Sequence, residues 1–192
     1  MNTWETYSKV HANRKPREQL VSAIGLCDKK HSALDLGAGT LIESRYFLEV
    51  GFEHVIAVDS SPQSKEFAEH IVDERFELQN IGFRDFLFES EKYDIVNAQF
   101  SLPFYGSKDF TLFIENIISS LKTGGIFVGQ FFGNRDEWNK SDTKLAFQTK
   151  EEILEMLKDL DIIEFEEEEK EGSTASGIMK HWHVFHFRVK KK

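Results

Sequence analysis

The chain has 192 residues, 40% of them hydrophobic, and a formal net charge of −9. This length favours one domain with a single core, and the acidic balance argues against a nucleic-acid partner, because such affinity comes largely from Lys and Arg side chains that neutralise phosphates. No run approaches the ~20 apolar residues that a membrane helix needs, and the polar opening is unlike a signal peptide, so we expect a cytoplasmic protein with no membrane partner.

The pattern along the chain predicts an α/β fold. From Ser32 onward, short apolar runs alternate with longer segments of helical spacing, as is typical of βαβ units and a parallel sheet. The apolar runs predict strands at 33–36, 55–58, 76–81, 94–98 and 126–131, and the periodic segments predict helices at 41–50, 62–72, 108–121 and 150–160. Gly51 is placed to end the first of these helices, Ser61 and Pro62 to begin the second, and "KTGG" at 122–125 to form the turn after the third.

The last quarter of the chain changes character. "IIEFEEEE" and "HWHVFHFRVKKK" predict two strands, joined by "KEGSTASGIMK" into an antiparallel hairpin. The run Glu166 to Glu169 is typical of an edge strand that charge protects from aggregation. This edge disfavours a dimer that extends the sheet, so we expect a monomer or a weak homodimer.

The turn "DLGAGT" predicts a ligand site. Gly37 and Gly39 bracket the entry into a helix, where a ligand can approach outward-pointing backbone N–H groups. A dinucleotide fingerprint needs a third glycine where this chain has Ile42, and a phosphate-binding loop needs a lysine that "GTLIES" lacks. Asp35 before the glycines favours an amine-bearing ligand, and Asp59 after the second strand can accept two ribose hydroxyls. One carboxylate for an amine and one for a ribose fit the polar groups of S-adenosylmethionine better than those of NAD.

Five segments in order then carry a resemblance: "LDLGAGT", "AVDSSP", "FRDF", "YDIVNAQF" and "LKTGGIFVGQF". On these, the chain resembles the class I S-adenosylmethionine-dependent methyltransferases, and in weaker form the small tellurite-resistance-type and small-molecule members. The resemblance implies a Rossmann-like sheet of seven strands in the order 3-2-1-4-5-7-6, with the seventh antiparallel and helices on both faces. It implies one domain over 1–192, with a helical cap at 1–30, a cofactor-binding core at 31–132, and a loop, helix and hairpin on the substrate side at 133–192.

The resemblance also implies which residues bind S-adenosylmethionine, with S-adenosylhomocysteine as the product. The backbone of Gly37, Ala38 and Gly39 would lie against the methionine portion, next to Asp35. Asp59 and Ser60 would contact the ribose, and Asp85 and Phe86 would contact the adenine. Ala98 and Gln99 would line the sulfonium. In related enzymes an N-terminal segment closes over the cofactor, so Tyr7 and Arg14 either bind its carboxylate or begin a solvated helix.

The acceptor side is less determined by the sequence. His181 and His183 share a strand face near the predicted rim of the sheet. They either contact the substrate and move a proton, or pack in an aromatic strand. A metal site is disfavoured, because no Asp or Cys that could complete the ligand set lies nearby in the sequence. In the long loop after the fifth strand, Arg135 and Trp138 are either acceptor contacts or a surface charge and a packing anchor. "NAQFSLPFYG" departs from the pattern used on nucleic-acid bases, which favours a small-molecule acceptor. A protein side chain as acceptor and a non-catalytic module that senses the cofactor are the alternatives, and an NAD-dependent oxidoreductase is disfavoured by Ile42.

Overall fold

Seven strands form one mixed sheet in a computed structural model that describes residues 14–140, 142–174 and 177–192. The order is β3-β2-β1-β4-β5-β7-β6, and β7 is antiparallel to both of its neighbours while the other pairs through β5 are parallel. This confirms the predicted fold class and strand order. The strands are β1 (Ser32–Leu36), β2 (His54–Val58), β3 (Phe76–Gln79), β4 (Tyr93–Ala98), β5 (Leu121–Phe132), β6 (Leu160–Ser173) and β7 (Met179–Lys191).

The described helices cover both faces of this sheet. They are α1 (Glu18–Ile24), α2 (Ile42–Glu49), α3 (Pro62–Ala68), α4 (Phe110–Ser120) and α5 (Lys150–Met156), with a short 3₁₀ helix at Leu102–Tyr105. The start of α3 is as predicted, since the Ser61 hydroxyl accepts from the backbone of Ser64 and Pro62 follows. Thr149 and Glu152 form a reciprocal capping box at the start of α5.

Alternation along the strands divides the core into two layers. Leu34, Val96 and Phe127 pack on the side of α4 and α5, whereas Ala33, Ile95 and Ile126 pack on the side of α1 and α2. The same alternation extends into β7, where Phe185 and Phe187 belong to the α5 side. The intervening residues of β7 therefore face the α1 side.

The segment "KTGG", predicted as a turn, lies within the bounds of β5 but has no paired residue on a neighbouring strand. Lys122 to Gly125 belong to β5, which begins directly after α4 with Leu121 paired to Tyr93. The register then shifts, and Gly124 with a φ of 81° lies in this irregularity. A Cβ on Gly125 would lie 2.8 Å from the carbonyl oxygen of Lys122, so the chain turns tightly here and leaves no room for a side chain.

The outer hairpin is longer than predicted. β6 starts at Leu160, where the last predicted helix was expected to end, and runs to Ser173; β7 starts at Met179. Most of the predicted connection is therefore paired strand, with Gly172 opposite Lys180. β6 is an edge strand, as its glutamates predicted. Within the described residues, the helices are too short or too polar for any of them to cross a membrane.

Candidate active site

The glycine turn between β1 and α2 lies at the carboxyl edge of the sheet. Gly37 and Gly39 have φ values of 74° and 52°, which glycine adopts without strain. The N–H groups of Gly37 and Ala38 donate to the Val58 carbonyl at 2.7 and 3.3 Å, so the end of β2 holds the turn. A Cβ on Gly37 would lie 2.3 Å from Cβ of Ser101, whereas one on Gly39 would come no closer than 3.9 Å to a described atom. The turn is packed at Gly37 and open to a ligand at Gly39.

Asp59 follows β2, and its carboxylate joins the glycine turn to α3. Oδ2 accepts from the Gly39 N–H at 2.9 Å, and Oδ1 accepts from the Ser61 N–H at 2.8 Å and the Ser64 hydroxyl at 2.7 Å. A carboxylate offers roughly four acceptor positions, so these three donors leave capacity for a ligand. The side chain is partly exposed, and Ser60 beside it is exposed.

Asp35 is buried in β1 beneath the turn. Its carboxylate accepts from the Ser44 hydroxyl at 2.6 Å and from Nδ2 of Asn97 at 2.8 Å. Burial, reinforced by the negative charge of Glu43, raises the pKa of Asp35 to about 7. The amide oxygen of Asn97 is buried and accepts no hydrogen bond from a described residue. A carboxylate beside an unsatisfied carbonyl is an arrangement that an ammonium group would satisfy.

Arg14 connects the segment before α1 to this region. Its guanidinium donates to both carboxylate oxygens of Glu43 at 2.5 Å, and Glu43 lies in the first turn of α2 with 3% exposure. The predicted contact of Arg14 with a cofactor carboxylate stays a prediction. Tyr7, its predicted companion, lies outside the described residues.

A network of glutamines follows the end of β4. Ala98 is fully buried, and the next residue, Gln99, accepts through Oε1 from Nε2 of Gln130 at 3.1 Å. Oε1 of Gln130 accepts from the Phe100 N–H at 2.8 Å, and its Nε2 also donates to Gln19 on α1. Nε2 of Gln99 is buried and has no acceptor among the described residues. An unpaired buried donor costs ~1–3 kcal/mol, so an acceptor atom of a ligand here would be stabilising.

The two predicted adenine contacts in the loop after β3 differ in their exposure to solvent. Asp85 is exposed, whereas the Phe86 ring is 6% exposed and packs in the core with its centroid 4.8 Å from that of Phe88. Phe83 is the aromatic residue nearest the turn, since its ring lies 3.3 Å from the position that a Cβ on Gly37 would occupy. Phe86 is therefore part of the core layer beneath the loop, and its contact with adenine stays a prediction.

A cleft of about 510 Å³ opens beside Gln99, between the segment 14–19 and the outer hairpin. This volume is within the range of small-molecule sites, ~300–1,000 Å³. The guanidinium of Arg17 lies 4.7 Å from the centre of the Phe100 ring, and the His186 ring meets the same phenyl group edge-on at 6.2 Å. The far wall consists of Glu166, Glu168, Lys170 and His186. A smaller cavity of about 150 Å³ near Cys27 lies at the other edge of the sheet, away from the strand ends where ligands bind.

His181 and His183 lie in an ion-paired cluster that does not line the cleft. Arg135 Nη2 binds Glu167 at 2.6 Å and Glu169 at 2.7 Å, and His183 Nε2 lies 3.1 Å from Glu167. Hydrogen bonds from Arg135, then from His181, lower the pKa of Glu169 to about 2. Glu167, Glu169 and His183 could hold a metal by distance, with ligand atoms within 4.8 Å, but the guanidinium already lies among them. The acceptor roles of His181, His183 and Arg135 stay predictions.

Trp138 belongs to an aromatic cluster that fixes the loop after β5. The Lys180 ammonium lies 4.2 Å from the Trp138 ring centre and 3.7 Å from that of Trp182. Lys180 is 2% exposed and pairs with the buried carboxylate of Asp136. Desolvation lowers the pKa of Lys180 in spite of that partner. The cluster holds the loop on β7, and an acceptor contact of Trp138 stays a prediction.

The site residues that reasoning from sequence missed include Glu43, Asn97, Gln130 and His186. Gln130 interrupts the apolar run "IFVGQFF", and a polar residue in a buried strand is a signal that was present. His186 lies on the strand face opposite to His181 and His183, and that opposite face forms the cleft. Glu43 gave no signal, because its partner Arg14 is 29 positions away.

A family model described as a methyltransferase domain matches residues 33–125, from β1 into β5. The strand order and the antiparallel β7 agree with this match. The domain match and the fold identify the chain as an S-adenosylmethionine-dependent methyltransferase. The cofactor of this methyltransferase is therefore S-adenosylmethionine. No curated protein matches the sequence significantly.

Solved structures resemble the methyltransferase in fold. TehB from Haemophilus influenzae has a TM-score of 0.76 at 18% identity, over 97% of this chain and 66% of that chain. A candidate S-adenosylmethionine-dependent methyltransferase from Listeria monocytogenes has a TM-score of 0.68 at 14% identity, over 91% and 98%. A 1,6-didemethyltoxoflavin-N1-methyltransferase from Burkholderia thailandensis, with its substrate and S-adenosylhomocysteine bound, has a TM-score of 0.63 at 17% identity, over 98% and 77%.

Proposed function

We propose that this methyltransferase methylates a small-molecule acceptor, and that the acceptor binds in the cleft beside Gln99. The observation that carries the proposal is the position of the cleft, which adjoins the end of β4 and is bordered by the unpaired amide of Gln99. Its volume suits a small molecule. The Burkholderia neighbour, whose bound substrate is a small molecule, is consistent with this acceptor class.

The residues at the turn supply partners for the polar groups of S-adenosylmethionine. The Asp35 carboxylate and the unpaired oxygen of Asn97 would accept from its amino group, and Asp59 would accept from its ribose hydroxyls. The open backbone at Gly39 leaves room for the methionine portion. Bound there, the cofactor supplies an activated methyl group on a sulfonium.

The protein's own contribution is to align the acceptor and to exclude water. Gln130 fixes Gln99 and the backbone of Phe100 through two hydrogen bonds, so the region after β4 is held rigidly. The free Nε2 of Gln99 would then orient an acceptor atom of the bound molecule. The Phe100 ring, covered by Arg17, would provide an apolar surface within the cleft.

Calorimetry with S-adenosylhomocysteine tests the cofactor residues. Asp59→Ala should weaken binding by ~1.5–3 kcal/mol, because a charge-assisted contact with the ribose is lost. Ser64→Ala is the matched control, since it removes one hydrogen bond to the same carboxylate but leaves the carboxylate available to the ribose. Equal effects of the two substitutions would show that the ribose lies elsewhere.

A screen for release of S-adenosylhomocysteine tests the acceptor class. The probes are 2-mercaptoethanol, catechol, histamine, lactate and tellurite, each tested with S-adenosylmethionine, and an unfolded protein serves as the competing substrate. We expect turnover with at least one small molecule. Turnover with the protein alone would favour the side-chain alternative, and bound cofactor with no turnover would contradict the proposal.

A further inference from the structure

His186 is the imidazole on the wall of the cleft, and its position follows from strand register. It pairs with Gln130 on one side and with Glu166 on the other, in antiparallel ladders where directly opposite residues share a face. Gln130 binds Gln99, so His186 lies two strands from the end of β4 and on the cleft side of the sheet. Its side chain is 16% exposed.

Glu168 lies beside this imidazole. Its Oε2 lies 3.5 Å from Nε2 of His186, while its other oxygen accepts from Lys170 at 2.7 Å. Nδ1 of His186 makes no hydrogen bond with a described residue. With the Nε2 proton directed to the carboxylate, Nδ1 carries the free lone pair that a general base needs.

We propose that His186, flanked by Glu168, is the general base that removes a proton from the acceptor. The inference rests on the proposed function, because it assumes that the acceptor occupies this cleft. It extends that function by predicting an acceptor with an ionisable hydroxyl, thiol or ring N–H. His181 and His183, in contrast, have both ring nitrogens engaged by Glu169 and Glu171, or by Glu167 and the Arg135 backbone.

The proton balance of the step is simple. The acceptor's X–H bond breaks and its proton passes to Nδ1 of His186, while the new X–CH3 bond forms. The electron pair of the cleaved C–S bond stays on sulfur and gives S-adenosylhomocysteine. The imidazolium then returns its proton to water, which the open side of the cleft admits.

Several charged groups surround His186. The strands contribute Glu166, Glu168 and Lys170 from β6, and Arg188 from β7, which is paired with Glu164. The segment before α1 and the first turn of that helix contribute Arg14, Lys15, Arg17 and Glu18. Carboxylates and cations are thus mixed around the ring. Because any of these groups can affect the pH profile of kcat, the test needs variants of His186 itself.

The test compares His186→Gln with wild type, using the probe that turns over in the screen and a pH series from about 5.5 to 9. General-base catalysis contributes ~10²–10⁴-fold, so we expect kcat to fall by at least ~100-fold in the variant, with loss of its rise with pH. Glu168→Gln should show a smaller fall. His31→Gln is the control, because His31 is exposed and pairs with Glu53 at the opposite edge of the sheet.

Acidity of the acceptor provides a second readout. Thiophenol is largely ionised at pH 8 whereas 2-mercaptoethanol is not, so thiophenol should recover most of the rate that His186→Gln loses. A variant that binds S-adenosylhomocysteine normally and keeps wild-type kcat and pH profile would overturn the role of His186 alone. Bound cofactor with no turnover of any probe would overturn the proposed function, and this inference with it.

Discussion

Single residues at the glycine turn combine a structural contribution with a proposed ligand contact. Gly37 has a positive φ and leaves no room for a side chain beside Ser101. Asp59 binds two backbone N–H groups and a hydroxyl of the protein in the region where the ribose is expected. The motif alone predicted the ligand roles, and the structure adds the packing.

Substitution of Gly37 by alanine should destabilise the fold more than the same change at Gly51. Both residues have positive φ, but a Cβ on Gly51 meets no described atom within 4 Å, whereas one on Gly37 would overlap Cβ of Ser101. We expect the difference in the free energy of unfolding, measured in urea, to exceed ~1 kcal/mol. Equal losses would mean that the backbone conformation alone requires glycine at position 37.

The raised pKa of Asp35 makes stability depend on pH. Because its folded pKa is about 7 and an unfolded aspartate titrates near ~3.9, its contribution to stability is complete below the unfolded value and is lost as the pH rises through 7. Relative to Asp35→Asn, the wild-type free energy of unfolding should fall by up to ~1.4 kcal/mol per pH unit up to pH 7 and then level. If the free energy of unfolding, measured in urea, depended on pH in the same way for the wild type and Asp35→Asn, this prediction would be contradicted.

The placement of site residues was predictable where a motif specifies it and was not predictable where tertiary contacts decide it. Asp35 and Asp59 follow strands whose ends must meet at one edge, so their placement follows from the pattern. Phe86 and the Arg135 cluster depend on which face a loop or strand presents to distant parts of the chain. The burial of Phe86 and the pairing of Arg135 with Glu167 and Glu169 had no local signature.

At the scale of elements, the outer hairpin is the part that the sequence predicted least well. The strand pairing begins with Leu160 opposite Lys191 and continues to Ser173 opposite Met179. Both strands are therefore longer than their apolar patterns indicate. The charged and glycine residues near the tip look like a loop, yet the strand pairing continues through Gly172 and Lys180. Cross-strand contacts thus override local preference in this region.

The Lys180 and Asp136 pair should be essential for anchoring the loop after β5 on this hairpin. Lys180→Met leaves the buried Asp136 carboxylate without its partner, which typically costs ~3–5 kcal/mol. Lys158→Met is the control, since Lys158 is exposed and pairs with Glu155 one turn away on the surface. In urea unfolding, Lys180→Met should lower the free energy of unfolding strongly, and Lys158→Met should change it negligibly. A negligible loss for Lys180→Met would show that aromatic packing alone holds the loop.

At the scale of the whole molecule, the strand order brings the chemistry to one edge. β1, β4 and β2 end beside one another, which collects Asp35, Asp59 and Gln99 around the glycine turn. The antiparallel β7 then presents its α1-side face to the cleft, with His186 toward Gln130. The overall topology was predictable from the motif order, whereas the cleft was not, because it forms between the segment 14–19 and strands more than 140 positions later.

We propose that the glycine turn binds S-adenosylmethionine with its methyl group directed to the cleft. A crystal structure of the complex with S-adenosylhomocysteine tests it most directly. We expect the ribose hydroxyls within hydrogen-bonding distance of Asp59, the amino group near Asp35 and Asn97, and the sulfur facing Gln99 and the cleft. A ribose bound away from Asp59, or a sulfur turned away from the cleft, would contradict the account.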